Sequence, residues 1–336
     1  MKTAPSSLST TENQRLCVLF PGALGDFICC LPAMQALTRK AKVNVFARSE
    51  FADIAPDRVT VRSLERREIT KLFSADGAAD EQVRRFFGAY EAVYSWMGSA
   101  QPDFVGQLQA ASGGRAQIFP FRPTDARYHQ AEYYFRCLHG GNSPVPNPRV
   151  LLRSEAIAWR ADFWARHALY DRLVLVIAPG SGAREKNWDE DNFFAIAEWW
   201  RDRTNCAVVV LIGPVEEERC VSARLRNVGV LACGLDLAQA TALLLGGDVY
   251  VGNDSGITHL AAASGIRTVA LFGPSDPRQW APRGAKITVL SRNEVCSPCA
   301  TATMKSCAHR RCLTGLDAAQ VIAVLAQLPE VATLTR

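Results

Sequence analysis

The sequence predicts an α/β protein of two Rossmann-like domains whose parallel sheets face a central cleft. Three observations carry this reading. Strand-like apolar runs alternate with amphipathic helical stretches, and the alternation occurs twice along the chain. A length of 336 residues exceeds what a single core usually organises. The conspicuous Gly-rich or polar loops all follow strands, and ligands of such sheets sit beyond the carboxyl ends of strands.

The first series opens with RLCVLF (15–20), the loop PGALGD and a helix from about Phe27 to Arg39. It continues through KVNVFA (42–47), VTVRSL (59–64), EAVYSW (91–96) and AQIFPF (116–121). The Pro-rich GGNSPVPNPR (140–149) then reads as a linker or crossing segment. A helix around 154–168 leads into the second series, LVLVIA (173–178), CAVVVLIG (206–213), VGVLAC (228–233), DVYVGN (248–253) and TVALFG (268–273). Short strands separated by helices imply parallel pairing with right-handed crossovers. The expected division is a first domain over 15–150, a linker and helix over 151–171, a second domain over 172–316 and a C-terminal helix over 317–330. Residues 1–14 are polar and read as a disordered tail.

Composition narrows the function. Hydrophobic content of 48% and charged content of 21% describe an ordinary globular chain, and no apolar run is long enough to cross a bilayer. The polar start lacks an apolar signal core, so a cytoplasmic location is expected. The net charge of +5 is mild, and no stretch resembles a nucleic-acid-binding motif. Arg58, Arg62, Arg66 and Arg67 cluster in RVTVRSLERREITK. That run is either a solvated face or a surface for an anionic acceptor or membrane.

The loops are more informative. VGNDSGITHLAAASG (251–265) breaks a strand on Gly-Asn-Asp-Ser-Gly and starts a helix, placing Asp254, Ser255, Gly256 and His259 at a helix N-terminus. Such a terminus offers unpaired N–H groups and the positive end of the helix dipole, which suit an anion. Four of the conspicuous loops belong to the second domain and would gather at one sheet edge, as a nucleotide-diphosphate pocket requires. Neither a G-x-G-x-x-G after the first strand nor a Walker A sequence is present, which disfavours a dinucleotide dehydrogenase and a P-loop enzyme.

Taken together, FPGALGDFICCLPAMQAL, APGSGAREKNW, GNDSGITHLAAASG and FGPSDPRQWAP resemble the ADP-heptose:lipopolysaccharide heptosyltransferase family, glycosyltransferase family 9, from about residue 15 to 325. The resemblance implies a GT-B fold and metal-independent, inverting transfer of heptose from ADP-heptose. It implies that Lys186 binds phosphate, that Ser181 and Gly182 contact it, and that Asp254, Ser255, Gly256 and His259 form the donor-binding helix start. Glu216, or its neighbour Glu217, matches a ribose-binding glutamate. Asp26 matches the catalytic carboxylate, and inversion needs one such general base on the acceptor hydroxyl. Its structural alternative is a plain N-cap on a helix beginning at Phe27. The implied acceptor is the lipopolysaccharide core, an anionic glycolipid met at the inner face of the cytoplasmic membrane. Protein heptosylation and non-catalytic sugar-nucleotide binding are the rival functions. The sequence departs from the family pattern in lacking a basic residue before Gly22 and in carrying Asp236 where relatives often have Ser or Thr.

Of eleven cysteines, four crowd into CSPCATATMKSCAHRRC as Cys296, Cys299, Cys307 and Cys312, spaced C-x2-C-x7-C-x4-C. In a cytosolic chain this suits a structural four-thiolate metal site, such as zinc, or reduced free thiols better than disulfides, and the family resemblance implies iron as the other candidate metal. No cofactor is expected to be required for catalysis.

Overall fold

The computed structural model describes residues 14–39, 41–125, 127–141, 143–203, 205–213 and 223–332. The proposed N-terminal tail and Glu216 with Glu217 therefore lie outside the described residues, apart from Gln14.

The first sheet comprises β1 (Arg15–Leu19), β2 (Lys42–Ala47), β3 (Val59–Ser63), β4 (Ala92–Ser95) and β5 (Ala116–Ile118), all parallel in the order β3-β2-β1-β4-β5. Helices of eight residues or more around it are α1 (Leu24–Thr38), α2 (Glu81–Gly88), α3 (Pro102–Ala111) and α4 (Gln130–His139). The run in β1 is apolar without interruption because helices cover both faces. Leu16 and Val18 point into a cluster with α1, while Cys17 and Leu19 pack with Phe104 and Leu108 of α3.

The second sheet comprises β6 (Leu173–Ala178), β7 (Cys206–Leu211), β8 (Val230–Ala232), β9 (Val249–Asn253), β10 (Arg267–Phe272) and β11 (Ile287–Ser291). Its order is β11-β10-β9-β6-β7-β8, again parallel throughout. Flanking helices are α5 (Ser154–Arg166), α6 (Glu190–Arg201), α7 (Leu237–Gly246), α8 (Gly256–Ser264) and α9 (Ala318–Ala326). Both sheets reverse their strand order next to their first strand, at β1/β4 and at β6/β9. Ligand crevices of doubly wound sheets lie at such reversals.

Each sheet has an apolar cluster of its own on one face, while on the other face the two sheets share a single core. One apolar cluster runs from Leu16 and Val18 through Phe27 and Ile28 of α1, and on through Leu260 of α8 to Val174 and Val176 of β6. Helices α1 and α8 thus weld the domains along the cleft floor. The crossing segment is fastened to both sides. Gln35 Nε2 donates to the Arg149 carbonyl (3.3 Å), the Val150 amide to the Ala263 carbonyl (3.1 Å), and Arg153 to the carbonyls of Ala52, Asp53 and Ala55.

One expectation changes and two features are added. The first helix begins at Leu24, not Phe27, so Asp26 stands inside its first turn and makes no capping bond. Edge strand β11 went unanticipated: every residue in it is only half-buried, and its short run sits between a Pro-rich loop and the cysteines. Asp236 is the N-cap of α7, bonded reciprocally with Gln239 in a capping box, which explains a carboxylate there.

Candidate functional site

A cavity of about 250 Å³ opens between the carboxyl edges of the sheets. Ala23, Gly25, Asp26 and Arg122 of the first domain line it, facing Gly182, Ala183, Lys186, Asp254, Ser255, Gly256, His259 and Trp280 of the second. The lining is built by two helix starts in contact. A Cβ added at Gly256 would lie 2.8 Å from Leu24 Cβ and 3.1 Å from the Gly25 nitrogen. Glycine at this position is therefore a condition of closure, not a matter of backbone freedom.

On the first-domain side, the Asp26 carboxylate is buried and takes two bonds from Arg122, Nη1–Oδ1 at 2.5 Å and Nη2–Oδ2 at 3.4 Å. Tyr134 OH lies 3.5 Å from Oδ1. Burial first, and the Asp26 charge second, push the Tyr134 phenol far above its ordinary range, so it remains a neutral donor. The Arg122 guanidinium lies 4.3 Å from the Phe121 ring centroid and 4.5 Å from that of Trp280. Trp280 is a second-domain residue, so the pair is covered from across the cleft.

On the second-domain side, Asn253 is fully buried at the end of β9 and ties the loop after β6 in place. Its Oδ1 accepts from the Trp188 amide (2.9 Å) and its Nδ2 donates to the Pro179 carbonyl (2.7 Å). That loop delivers Lys186, whose Nζ meets Asp254 Oδ2 at 2.7 Å. At the start of α8, Ser255 is the N-cap residue but makes no side-chain cap bond; its Oγ turns to Thr258 Oγ1 at 3.1 Å. The first-turn amides of α8 are left for another acceptor. His259 is buried, and burial holds its pKa below the ordinary histidine value against the opposing pull of Asp254 and Asp26.

Six of the eight expected donor-site residues line this cavity: Gly182, Lys186, Asp254, Ser255, Gly256 and His259. Ser181 stands behind it, its Oγ bonded to the Ala183 carbonyl and Asn187 Oδ1 at 2.6 Å each, so it shapes the loop. Glu216 lies outside the described residues. The arginine cluster is dispersed. Arg58 precedes β3, Arg62 lies within it and Arg66 and Arg67 follow it. Arg66 pairs with Glu68, and Arg67 with Asp80 and Gln82, away from the cavity. Sequence reasoning missed Arg122 and Trp280. Both follow strands at the carboxyl edge, in FPFRP and SDPRQW, and that position was their available signal.

Cys296, Cys299, Cys307 and Cys312 carry free thiols in one neighbourhood, close enough that the other three raise the Cys312 pKa after burial has done so. Among the described residues, no three His, Cys, Asp or Glu side chains converge as a metal-holding group. As placed, the four thiols are neighbours without being a ligand sphere. Their segment does brace the pocket: the Cys299 amide donates to the Pro274 carbonyl (2.8 Å), and Arg310 Nη1 donates to the Arg184 carbonyl (3.2 Å) in the lysine loop.

Comparison with known proteins bears on the family and the fold. Residues 133–308 match the family described as glycosyltransferase family 9 (heptosyltransferase). Lipopolysaccharide heptosyltransferase 1 of Pseudomonas aeruginosa is 32% identical over 138 residues, 40% of this chain and 38% of that protein. The chain spans about half or less of the length of the first curated relatives it matches. Two solved structures share the fold over almost the whole chain. The family 9 glycosyl transferase of Veillonella parvula has a TM-score of 0.77 at 19% identity, covering 96% of this chain and 98% of that one. The E. coli ADP-heptose lps heptosyltransferase II has a TM-score of 0.69 at 18% identity, with the same coverage. The two-domain architecture is that of the GT-B heptosyltransferases.

Proposed function

From the premise that this chain belongs to glycosyltransferase family 9, the heptosyltransferases, we propose that it transfers heptose from ADP-heptose to a lipopolysaccharide-core acceptor with inversion at the anomeric carbon. One observation carries the proposal. A first-domain carboxylate, Asp26, faces Lys186 and the open start of α8 across a single cavity. The names of the similar proteins, a lipopolysaccharide heptosyltransferase and an ADP-heptose lps heptosyltransferase, supply the sugar and the acceptor class.

In this reading the donor diphosphate sits at the α8 N-terminus. Lys186 exchanges Asp254 for phosphate, and its charge with the α8 amides offsets the negative charge that grows as the glycosidic bond breaks. Positive charge at the leaving group comes from the protein itself, so transfer proceeds without a divalent ion. The acceptor enters from the first-domain side and Asp26 takes the proton of its attacking hydroxyl. Inversion follows from a single displacement with the base and the leaving group on opposite walls. Acceptor delivery involves peripheral contact with the inner face of the cytoplasmic membrane; among the described residues no helix is long and apolar enough to cross it.

The test is transfer from ADP-heptose to a purified core acceptor, with and without EDTA, and the anomeric configuration of the product read by NMR. Calorimetry with ADP-, GDP- and UDP-sugars then assigns the base. Retention of configuration, or activity only with a divalent ion, would contradict the mechanism. Absence of turnover beside tight ADP-heptose binding would favour a sugar-nucleotide-binding protein.

A further inference from the structure

We propose that Cys29 is a positioning residue that sets the tautomer of His259 from across the domain boundary, so that Nε2 carries the ring proton and offers it to the cleft. The ligand side of this inference rests on the donor reading above. The tautomer itself does not.

Cys29 stands three residues after Asp26 on α1, so the two side chains share a helix face. Its Sγ lies 3.7 Å from Nδ1 of His259, and both residues are buried. Among the described residues this is the sole hydrogen bond of the Cys29 thiol. Two protons are shared between the groups. Burial pushes the thiol pKa upward and the imidazole pKa downward, so the sulfur stays protonated and the ring neutral. Either S–H donates to Nδ1 and Nε2 keeps the ring proton, or Nδ1–H donates to sulfur and Nε2 is bare. A neutral imidazole nitrogen is a strong acceptor and a thiol sulfur a weak one, so the first arrangement wins.

The other ring edge decides what this is for. Nε2 has no protein hydrogen-bond partner among the described residues, and His259 lines the cavity. Gly25 keeps that edge open: a Cβ there would lie 3.2 Å from Cδ2 and 3.6 Å from Nε2. The charged groups acting on the ring are Asp254, Asp26 and Lys186. Beside Lys186, an Nε2–H would donate to a diphosphate oxygen, whereas a bare Nε2 would present a lone pair to the same anion. The thiol belongs to the first domain and the imidazole to the second, so the donor face of His259 is set only while α1 and α8 are in contact. Binding competence is thereby coupled to the closed cleft.

The experiment is a long-range proton–nitrogen correlation spectrum of the full chain labelled with nitrogen-15 histidine, with His259 assigned by its loss in His259→Gln. The wild type should show His259 protonated at Nε2. In Cys29→Ala the Nε2–H population should fall, and ADP affinity should weaken by roughly three- to tenfold, the worth of one modest hydrogen bond. Cys29→Ser, which retains an O–H donor, should restore the tautomer and most of the affinity. A wild-type ring protonated at Nδ1, or a tautomer unmoved in Cys29→Ala, overturns the proposal. The wild-type spectrum alone suffices for the first outcome should Cys29→Ala fold poorly. An Nε2–H tautomer that is lost in Cys29→Ala, in a protein that binds no ADP, upholds the Cys29 assignment and removes the donor reading instead.

Discussion

Asp26 and Arg122 are the closest charge pair of the cleft, joined at 2.5 Å although 96 positions apart in sequence. One arrives by the loop after β1, the other by the loop after β5, and Trp280 of the opposite domain covers the guanidinium. A carboxylate that would otherwise be a simple helix-start residue is held in a fixed direction by a flat, stacked cation.

Removing that cation should cost stability as well as turnover. Arg122→Ala leaves a buried carboxylate without its partner. Because about half of the Arg122 side chain is exposed, we expect a loss of only about 1–2 kcal/mol, well short of a fully buried pair. Arg122→Lys keeps the charge but loses the two-pronged contact and the stacking between Phe121 and Trp280, so it should rescue partially. Urea unfolding of both variants checks this, and equal stability of Arg122→Ala and wild type would contradict it.

Lys186→Ala should weaken ADP-sugar affinity by roughly 10-fold or more and lower transfer as well, since one charge acts on phosphate in ground and transition states. The substitution also releases Asp254 from its only ion pair among the described residues. Lys186→Ala/Asp254→Asn should therefore recover some affinity by removing an unpaired negative charge from the phosphate site. Calorimetry with ADP reads both effects, and an unchanged affinity in the single variant would remove Lys186 from the site.

Acid sensitivity should trace in part to His129. Its Nδ1 accepts from the Ala131 amide (3.1 Å), capping α4, so Nε2–H donates to the Ala281 carbonyl (2.8 Å) of the other domain. Burial first, then the Arg283 charge, lower its pKa from 6.5 to about 4. As pH falls below about 6.5 the unfolded chain takes the proton first, so stability present above that pH is lost progressively towards pH 4. The full effect is on the order of 3 kcal/mol. His129→Asn keeps a good N-cap without the titration. Its urea midpoint should change less between pH 7 and pH 4.5 than that of the wild type; an equally steep fall would place the sensitivity elsewhere.

The parts of this molecule legible in sequence were those with local signatures. Strand β1, the junction that leads from it to Gly25 and Asp26 at the start of α1, and the Asn253-to-His259 junction each announce themselves by a sharp change at the end of an apolar run. Arg122, Trp280 and Cys29 matter through contacts made across the cleft, and no window around any of them shows its partner. The arginines at 58, 62, 66 and 67 show the opposite case. They are close in sequence, but only Arg62 lies within β3, with Arg58 before it and Arg66 and Arg67 after it, and Glu68 and Asp80 engage two of them. The reading of Asp26 as a helix cap failed because α1 starts one turn earlier, on a main-chain turn at Ala23 with no side-chain cap.

The cysteine segment should behave as four separate thiols. Cys296 is exposed, Cys299 and Cys307 are half-buried and Cys312 is buried. Reduced protein should yield all four to a thiol reagent, Cys312 last. Protection of all four until a chelator is added, with about one iron or zinc per chain, would mark a structural metal site instead.

The Asp26→Asn variant separates the base from the scaffold. Asp26 caps nothing, so the start of α1 does not depend on its charge, and an asparagine oxygen can still accept one bond from Arg122. The cost to stability should stay near about 1 kcal/mol, that of one weakened ion pair. Donor contacts lie on the second domain and should survive, leaving ADP affinity unchanged. What is lost is the oxygen able to take a proton from the acceptor hydroxyl. Turnover should fall by roughly 100-fold or more with little change in substrate affinity, the pattern of an interaction made in the transition state. Arg122→Ala provides the contrast, because it disturbs the direction of the carboxylate while keeping the carboxylate itself. Its kcat should fall less than that of Asp26→Asn, and the double variant should be no slower than Asp26→Asn alone, since orientation is worthless once the base is gone. Near-wild-type transfer by Asp26→Asn would show that the buried pair serves only to close the cleft.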